Sequence, residues 1–360
     1  MTMDSLKALN GLGQSIWLDN LSRDLLETGK LAQLTAQGVS GLTSNPTIFA
    51  KAIAGNRRYA DDLARARSLD ANPQQRLEEI IVPDIRAACD LFLPVFERSH
   101  GDDGYVSLEV PPSLASDTSA TVAEATRLAA LVARPNLLVK VPGTAAGVQA
   151  FEALTARGVN VNVTLLFSVR QVVRVLEAYI RGLKARLSAG LPISRAKAVA
   201  SLFLSRIDTL ADHQLETQGT EASLELRGRL GLATAKLSYE RYRELFHGAA
   251  FRELERAGAR PQYLLWASTG TKNPAYSDLH YVEALMGTET INTLPDATLA
   301  ALFDHGTVQA TLEAGHEAAR QAWLEAERLG LLPDVVGETL QAEGLLSFSD
   351  SYRQLLNLVS

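Results

Sequence analysis

The sequence predicts a (β/α)8 barrel extended by C-terminal helices. Three observations carry this. Short runs rich in Val, Ile and Leu recur along the chain, separated by amphipathic stretches of helix length. Eight such runs can be counted, the number that a closed parallel barrel requires. The GxGxxG turn that would mark a doubly wound open sheet, the competing α/β arrangement, is absent.

The runs occupy residues 15–19 (SIWLD), 38–42 (GVSGL), 105–110 (YVSLEV), 136–141 (NLLVKV), 159–163 (VNVNV), 199–204 (VASLFL), 263–267 (YLLWA) and 289–293 (ETINT). Each is too short for a helix and apolar enough for a strand covered on both faces. Amphipathic periodicity predicts helices over 24–37, 72–92, 119–133, 145–156 and 169–188. Residues 316–360 lie beyond the eighth strand and read as extra helices packed on the barrel. Their apolar stripe is Leu345, Leu346, Tyr352, Leu355, Leu356 and Val359. It suits packing onto the barrel itself, cover for the barrel mouth, or a subunit contact. No linker rich in Pro, Gly or Ser interrupts the chain, so residues 1–360 are expected to form a single domain.

Composition narrows the function. The chain has 360 residues, with 35 basic against 41 acidic side chains and a net charge of −6. That balance argues against a nucleic-acid partner, which would require a basic face. The single cysteine, Cys89, cannot make an internal disulfide or a cysteine zinc site. Residues 1–13 lack the pattern of a signal peptide, and no apolar run approaches the ~20 residues of a membrane span, so a cytoplasmic location is expected. None of the six histidines forms an HxH pair, and His316-Glu317 continues to Arg320 rather than completing HExxH. No Walker loop and no GxSxG elbow occur. Metal, nucleotide and serine-hydrolase chemistry therefore lose ground.

In a barrel, polar residues inside apolar strands point to the chemistry. Lys140 sits in Leu137-Leu138-Val139-Lys140-Val141-Pro142. A buried ammonium is costly and neutralisation is the usual escape. A neutral amine attacks carbonyl carbon and forms a Schiff base. A lysine reaching out to solvent from a strand end is the plainer alternative. Asn160, Asn162 and Thr164 alternate with valines and share one face. Asn162-Val163-Thr164 also spells a glycosylation sequon, which a buried strand would make unusable. Glu109 and Asp19 place carboxylates in the third and first strands, near enough in the pattern to form an acid/base set with the lysine. Structural readings compete: Asp19 as a helix cap and Glu109 as the partner of an arginine. Asn45-Pro46 reads as a helix start, which would line the barrel top. Arg206 after the sixth strand, and Ser268 to Lys272 after the seventh, suit a phosphate site.

Taken together, the blocks GLTSNPTIF, VSLEVPPSLASDT, NLLVKVPGTAAGVQA, VNVNVTLLFSVRQ, ASLFLSRID, LLWASTGTKNP and ETINTLPDATLAALFDHG resemble the transaldolase family, over about residues 15–306. Length and the WASTGTKNP block resemble its longer bacterial branch. The resemblance implies a (β/α)8 barrel, no cofactor, no metal, and a place in the non-oxidative pentose phosphate pathway. It implies that Lys140 is the Schiff-base lysine and that Asp19 moves the proton of the substrate C4 hydroxyl. By the same resemblance Glu109 and Thr164 hold and activate a water, and Asn45 and Asn162 bind sugar hydroxyls. Ser201 and Arg206, in SLFLSR, match the sugar- and phosphate-binding block, whose Pro and Gly this chain replaces. Phe203 stands where related fructose-6-phosphate aldolases usually have Tyr, and so implies transfer rather than simple cleavage. Ser268 matches the phosphate-binding loop, and Lys272 stands near the position where shorter relatives place a phosphate-binding arginine, in a loop of different length. The implied partners are sugar phosphates: sedoheptulose 7-phosphate, fructose 6-phosphate, glyceraldehyde 3-phosphate and erythrose 4-phosphate. The chain is expected to act as a monomer or homodimer, without nucleic acid or membrane. An aldolase that releases the three-carbon unit, and a non-catalytic sugar-phosphate-binding barrel, are the alternatives.

Overall fold

Eight parallel strands close into a barrel in the computed structural model, which describes residues 4–360. They are β1 (Gln14–Leu18), β2 (Gly41–Thr43), β3 (Val106–Glu109), β4 (Leu137–Pro142), β5 (Val161–Leu166), β6 (Ala198–Phe203), β7 (Tyr263–Ala267) and β8 (Thr290–Leu294). Each pairs with its sequence neighbour, and β1 closes on β8. All eight runs read from the sequence are strands.

Period-two alternation separates two apolar clusters. Trp17, Leu138, Val199, Leu265 and Ile291 fill the barrel interior. Their strand neighbours Ile16, Val139, Ala200, Leu264 and Trp266 face the outer helices. Burial on both faces is why these strands read as continuous apolar runs. Among the described residues, no helix is long and apolar enough to cross a membrane.

The expected helices form, with local differences. The stretch 24–37 splits into Arg23–Glu27 and Lys30–Gln37, because Gly29 adopts a left-handed φ of 75°. The second run starts later than expected, since Gly38 still caps the preceding helix. Asn72 and Gln75 form a capping box with Pro73 at the first turn, and that helix continues to Arg98. Thr118–Val132, Ala145–Arg157 and Val169–Ser188 begin at the side-chain caps Asp117, Thr144 and Ser168.

Helices His316–Arg328 and Pro333–Val359 follow the barrel. The second lies across the barrel mouth. Gln171 Nε2 donates to Gly337 O at 3.1 Å, and Thr47 Oγ1 and Ser351 Oγ are 2.8 Å apart. The segment packs on its own barrel through five of the six residues of the stripe read from sequence, with Leu345, Tyr352 and Leu356 partly buried against the core. Leu355 and Val359 are buried, whereas Leu346 is 68% exposed. The mouth is covered instead by Leu340 and Phe348, with Gly337, Gly344 and Ser351 two turns apart to let the helix approach.

One polar group inside the helical shell carries a stability prediction. Asp208, in helix Ser205–Gln218, accepts hydrogen bonds from Gly231 N and Tyr281 Oη, both at 2.8 Å. Burial outweighs these bonds and pushes its carboxyl up to about 7. The folded state therefore holds a proton that the unfolded state releases, so stability falls as pH rises from about 4 to 7. Asp208→Asn removes this dependence. It is expected to stabilise the fold at pH 8 by up to ~4 kcal/mol relative to its effect at pH 4. Urea unfolding at the two pH values measures it; equal effects at both would refute the assignment.

Candidate active site

Register brings the functional side chains together. Glu109 on β3 pairs with Lys140 on β4, and Lys140 pairs with Asn162 on β5. Each points inward, because its strand neighbour Leu108, Val139 or Val161 faces the outer helices.

Lys140 is 3% exposed, so the reading in which it reaches out to solvent fails. Its Nζ donates to Ser44 O at 3.2 Å. Glu109 Oε2 lies 3.6 Å from Nζ, an ion pair rather than a close hydrogen bond. Glu109 thus pairs with a lysine and not with an arginine. Burial pushes its carboxyl up to about 7, although Lys140 pulls the other way. Glu109 Oε2 and the fully buried Thr164 Oγ1 have no hydrogen-bond partner among the described residues.

Asp19 follows β1 at the barrel top. The next helix is capped by Ser22, so Asp19 is not a cap. Its Oδ1 accepts from Thr43 Oγ1 at 2.6 Å, and Thr43 Oγ1 lies 2.7 Å from Thr293 Oγ1. Burial raises the Asp19 carboxyl above its ordinary range, while Thr43, Lys140 and Arg206 draw it back.

Asp19, Thr43, Thr293 and Lys140 face a cavity of about 330 Å³ at the mouth, whereas Glu109 and Thr164 lie outside its lining. Asp19, Asn45, Lys140, Ser201, Phe203, Arg206, Ser268 and Lys272 line it. Ser201 Oγ donates to Asn162 Oδ1 at 2.6 Å, and Asn162 Nδ2 donates to Ser107 Oγ at 3.1 Å. Asn162 is fully buried and outside the cavity's lining, bonded to Ser201, which lines it. This burial also removes it as a sequon. Asn160 lies outside β5 and serves the opposite end, accepting from Lys197 N at 3.0 Å. Asn45 Oδ1 caps helix Pro46–Ile53 through Ile48 N at 2.9 Å, which leaves its amide nitrogen for a ligand.

Arg206 begins the helix after β6, with its guanidinium 5.4 Å from the Phe203 ring centroid. Burial lowers its ordinary value, Asp19 and Glu343 raise it, and an arginine keeps its charge. Ser268 adopts a left-handed φ of 53°, and its Oγ lies 2.9 Å from Ser205 Oγ. Lys272 is exposed at the rim. A guanidinium with no acidic partner among the described residues, a rim lysine and the loop around Gly270 suit a phosphate or other anion.

Several lining residues escape sequence reasoning. Thr43 and Thr293 come from the tops of β2 and β8, Thr47, Ile48 and Lys51 from helix Pro46–Ile53, and Ser347 and Phe348 from the C-terminal helix. For Thr43 the available signal was its place two residues before Asn45 in GLTSNP. For Phe348 there was none, since only the fold brings it back to the mouth.

Residues 16–359 match the family described as Transaldolase/Fructose-6-phosphate aldolase. The chain is 59% identical over 355 residues to a transaldolase of Thiobacillus denitrificans, covering 98% of this chain and 99% of that one. It is 46% identical over 354 residues to a transaldolase of Neisseria gonorrhoeae, covering 98% and 99%. A transaldolase of Thermobifida fusca is 45% identical over 357 residues, covering 99% and 97%. With similarity running the length of both partners in each comparison, the chain belongs to the transaldolase/fructose-6-phosphate aldolase family.

Proposed function

We propose that the protein transfers a dihydroxyacetone unit from sedoheptulose 7-phosphate to glyceraldehyde 3-phosphate, giving erythrose 4-phosphate and fructose 6-phosphate. The observation that carries this is Lys140 Nζ, buried in the barrel wall, lining the cavity and 3.6 Å from Glu109.

The unprotonated amine adds to the C2 ketone. The carbinolamine loses water to the protonated imine, with Glu109 donating the proton and Thr164 orienting the leaving oxygen. Asp19 accepts the C4 hydroxyl proton. The C3–C4 bond breaks, and its electron pair moves into the imine to give an enamine on Lys140. Erythrose 4-phosphate departs. The enamine carbon then adds to the aldehyde of glyceraldehyde 3-phosphate, and Asp19 returns a proton to the new hydroxyl. Water adds to C2 of the resulting imine, Glu109 takes its proton, and the C2–N bond breaks to free the ketose. Arg206, with Ser268 and Lys272 at the rim, anchors the phosphate.

Simple aldolase cleavage would use the same lysine. Phe203 and the covering Phe348 favour transfer, since an apolar roof keeps water from the enamine while acceptor arrives. Incubation with fructose 6-phosphate followed by borohydride tests the reading. A three-carbon adduct on Lys140 is expected by peptide mass. No adduct, or one on another lysine, would overturn it. Release of glyceraldehyde 3-phosphate without acceptor, at a rate matching transfer, would favour the aldolase.

A further inference from the structure

We infer that Gln341, on the helix crossing the mouth, is a positioning residue for the water handled by Thr164 and Glu109. The inference rests on the reading that these two side chains hold that water.

Gln341 Nε2 donates to Gly143 O and to Leu165 O, both at 3.0 Å. A primary amide nitrogen has two hydrogens, and both are used. The two acceptors are not arbitrary. Gly143 follows β4, the strand of Lys140, and its own N–H donates to Thr164 O at 2.7 Å. Leu165 follows Thr164 directly. One side chain therefore pins the ends of both strands that carry the chemistry.

The pinned segment is strained. The β5–β6 register shifts between Val163 and Leu166. Leu165 sits at the break with a left-handed φ of 60°, a conformation that its Cβ disfavours. Strain of this kind persists only where surrounding contacts over-determine the conformation. Gln341 supplies one such contact at the Leu165 carbonyl. Gly344, one turn further along, supplies another. A Cβ there would lie 2.9 Å from Leu165 Cδ2 and would make the leucine side chain shift, so glycine lets the helix sit close over it.

The bulge turns Leu165 inward, where it joins the interior cluster with Phe203, Leu340 and Phe348. Thr164 Oγ1, on the residue just before it, and Glu109 Oε2 are each buried with no hydrogen-bond partner among the described residues. Buried polar atoms left in this state suit a bound water. If Leu165 relaxes toward an ordinary strand conformation, Thr164 turns with it. A misplacement of about 1 Å can cost roughly 10²-fold in a positioned step. Gln341 therefore acts on the steps in which water enters or leaves C2. Carbon–carbon bond formation, served by Asp19 on the opposite wall, does not depend on it.

The test separates those steps. Protein is loaded with the three-carbon enamine from fructose 6-phosphate while glyceraldehyde 3-phosphate is removed enzymatically. Erythrose 4-phosphate is then added. Acceptor consumption reports carbon–carbon bond formation, and appearance of free ketose reports hydrolysis. Gln341→Glu keeps the shape and loses both donors at pH 8. Gln341→Met serves as a second variant should the carboxylate disturb folding. For either, ketose release is expected to fall about tenfold or more while acceptor consumption stays within about twofold. Unchanged release, or an equal loss in both readouts, overturns the inference. Thr164→Val is run in parallel. If it leaves release at the wild-type rate, the water reading itself falls. If it slows release while both Gln341 variants do not, only the role of Gln341 falls.

Discussion

Lys140→Met lowers transfer by about 10⁶-fold or more, because it removes the covalent route rather than weakening a contact. The fold is expected to survive. Methionine fills a similar volume, and the substituted side chain lies in an apolar wall. It also removes the donor that Ser44 O accepts from at 3.2 Å, in the loop after β2. A coupled assay of fructose 6-phosphate formation, with a thermal melt as the folding control, measures both. Activity within a hundredfold of wild type in a folded variant would remove Lys140 from the mechanism.

Glu109→Gln is the second large effect, with an expected loss of about 10²–10⁴-fold. The pH profile makes it specific. Burial sets this carboxyl near 7, so its protonation changes across the neutral range. During imine hydrolysis the group must accept a proton and therefore must be ionised. Ketose release should rise with pH through about 7 and level off above it. In Glu109→Gln that inflection disappears and the residual rate stays flat over the same range. Pre-steady-state release between pH 5.5 and 8.5 measures it. An inflection that persists in the variant assigns the titration to another group. Asp19 is the alternative, since burial raises its carboxyl too.

How far the chain could be read depended on whether the signal was local. The eight strands were legible because a strand covered on both faces needs an unbroken apolar run, and nothing distant is required to see it. Lys140, Asn162 and Thr164 stood out as polar interruptions of such runs. Lys197 should have raised the same question. It is 2% exposed, only one residue before β6, yet it sits at the far end of the barrel. There Asp102 Oδ1 accepts from its Nζ at 2.8 Å, and the Tyr263 ring lies 3.8 Å away. Which barrel end a lysine occupies follows from its place along the strand, and periodicity alone does not mark where the strand begins. The roof was illegible for a different reason. Gln341, Gly344 and Phe348 act on β4 and β5 across almost two hundred residues of chain, and no pattern within their own helix names that target. The split at Gly29 was open to reading, since a glycine in a helical stretch is a stop signal.

The two interior amines differ in what a small reagent would find. Lys140 opens on the cavity, whereas Lys197 is sealed by Asp102, Tyr263 and the turn around Arg260. An amine-directed label entering from solvent therefore meets the first in the intact molecule and the second only when the staves of the barrel part. Each copy carries a matched pair of reporters, one for occupancy of the mouth and one for the rare opening of the whole cylinder.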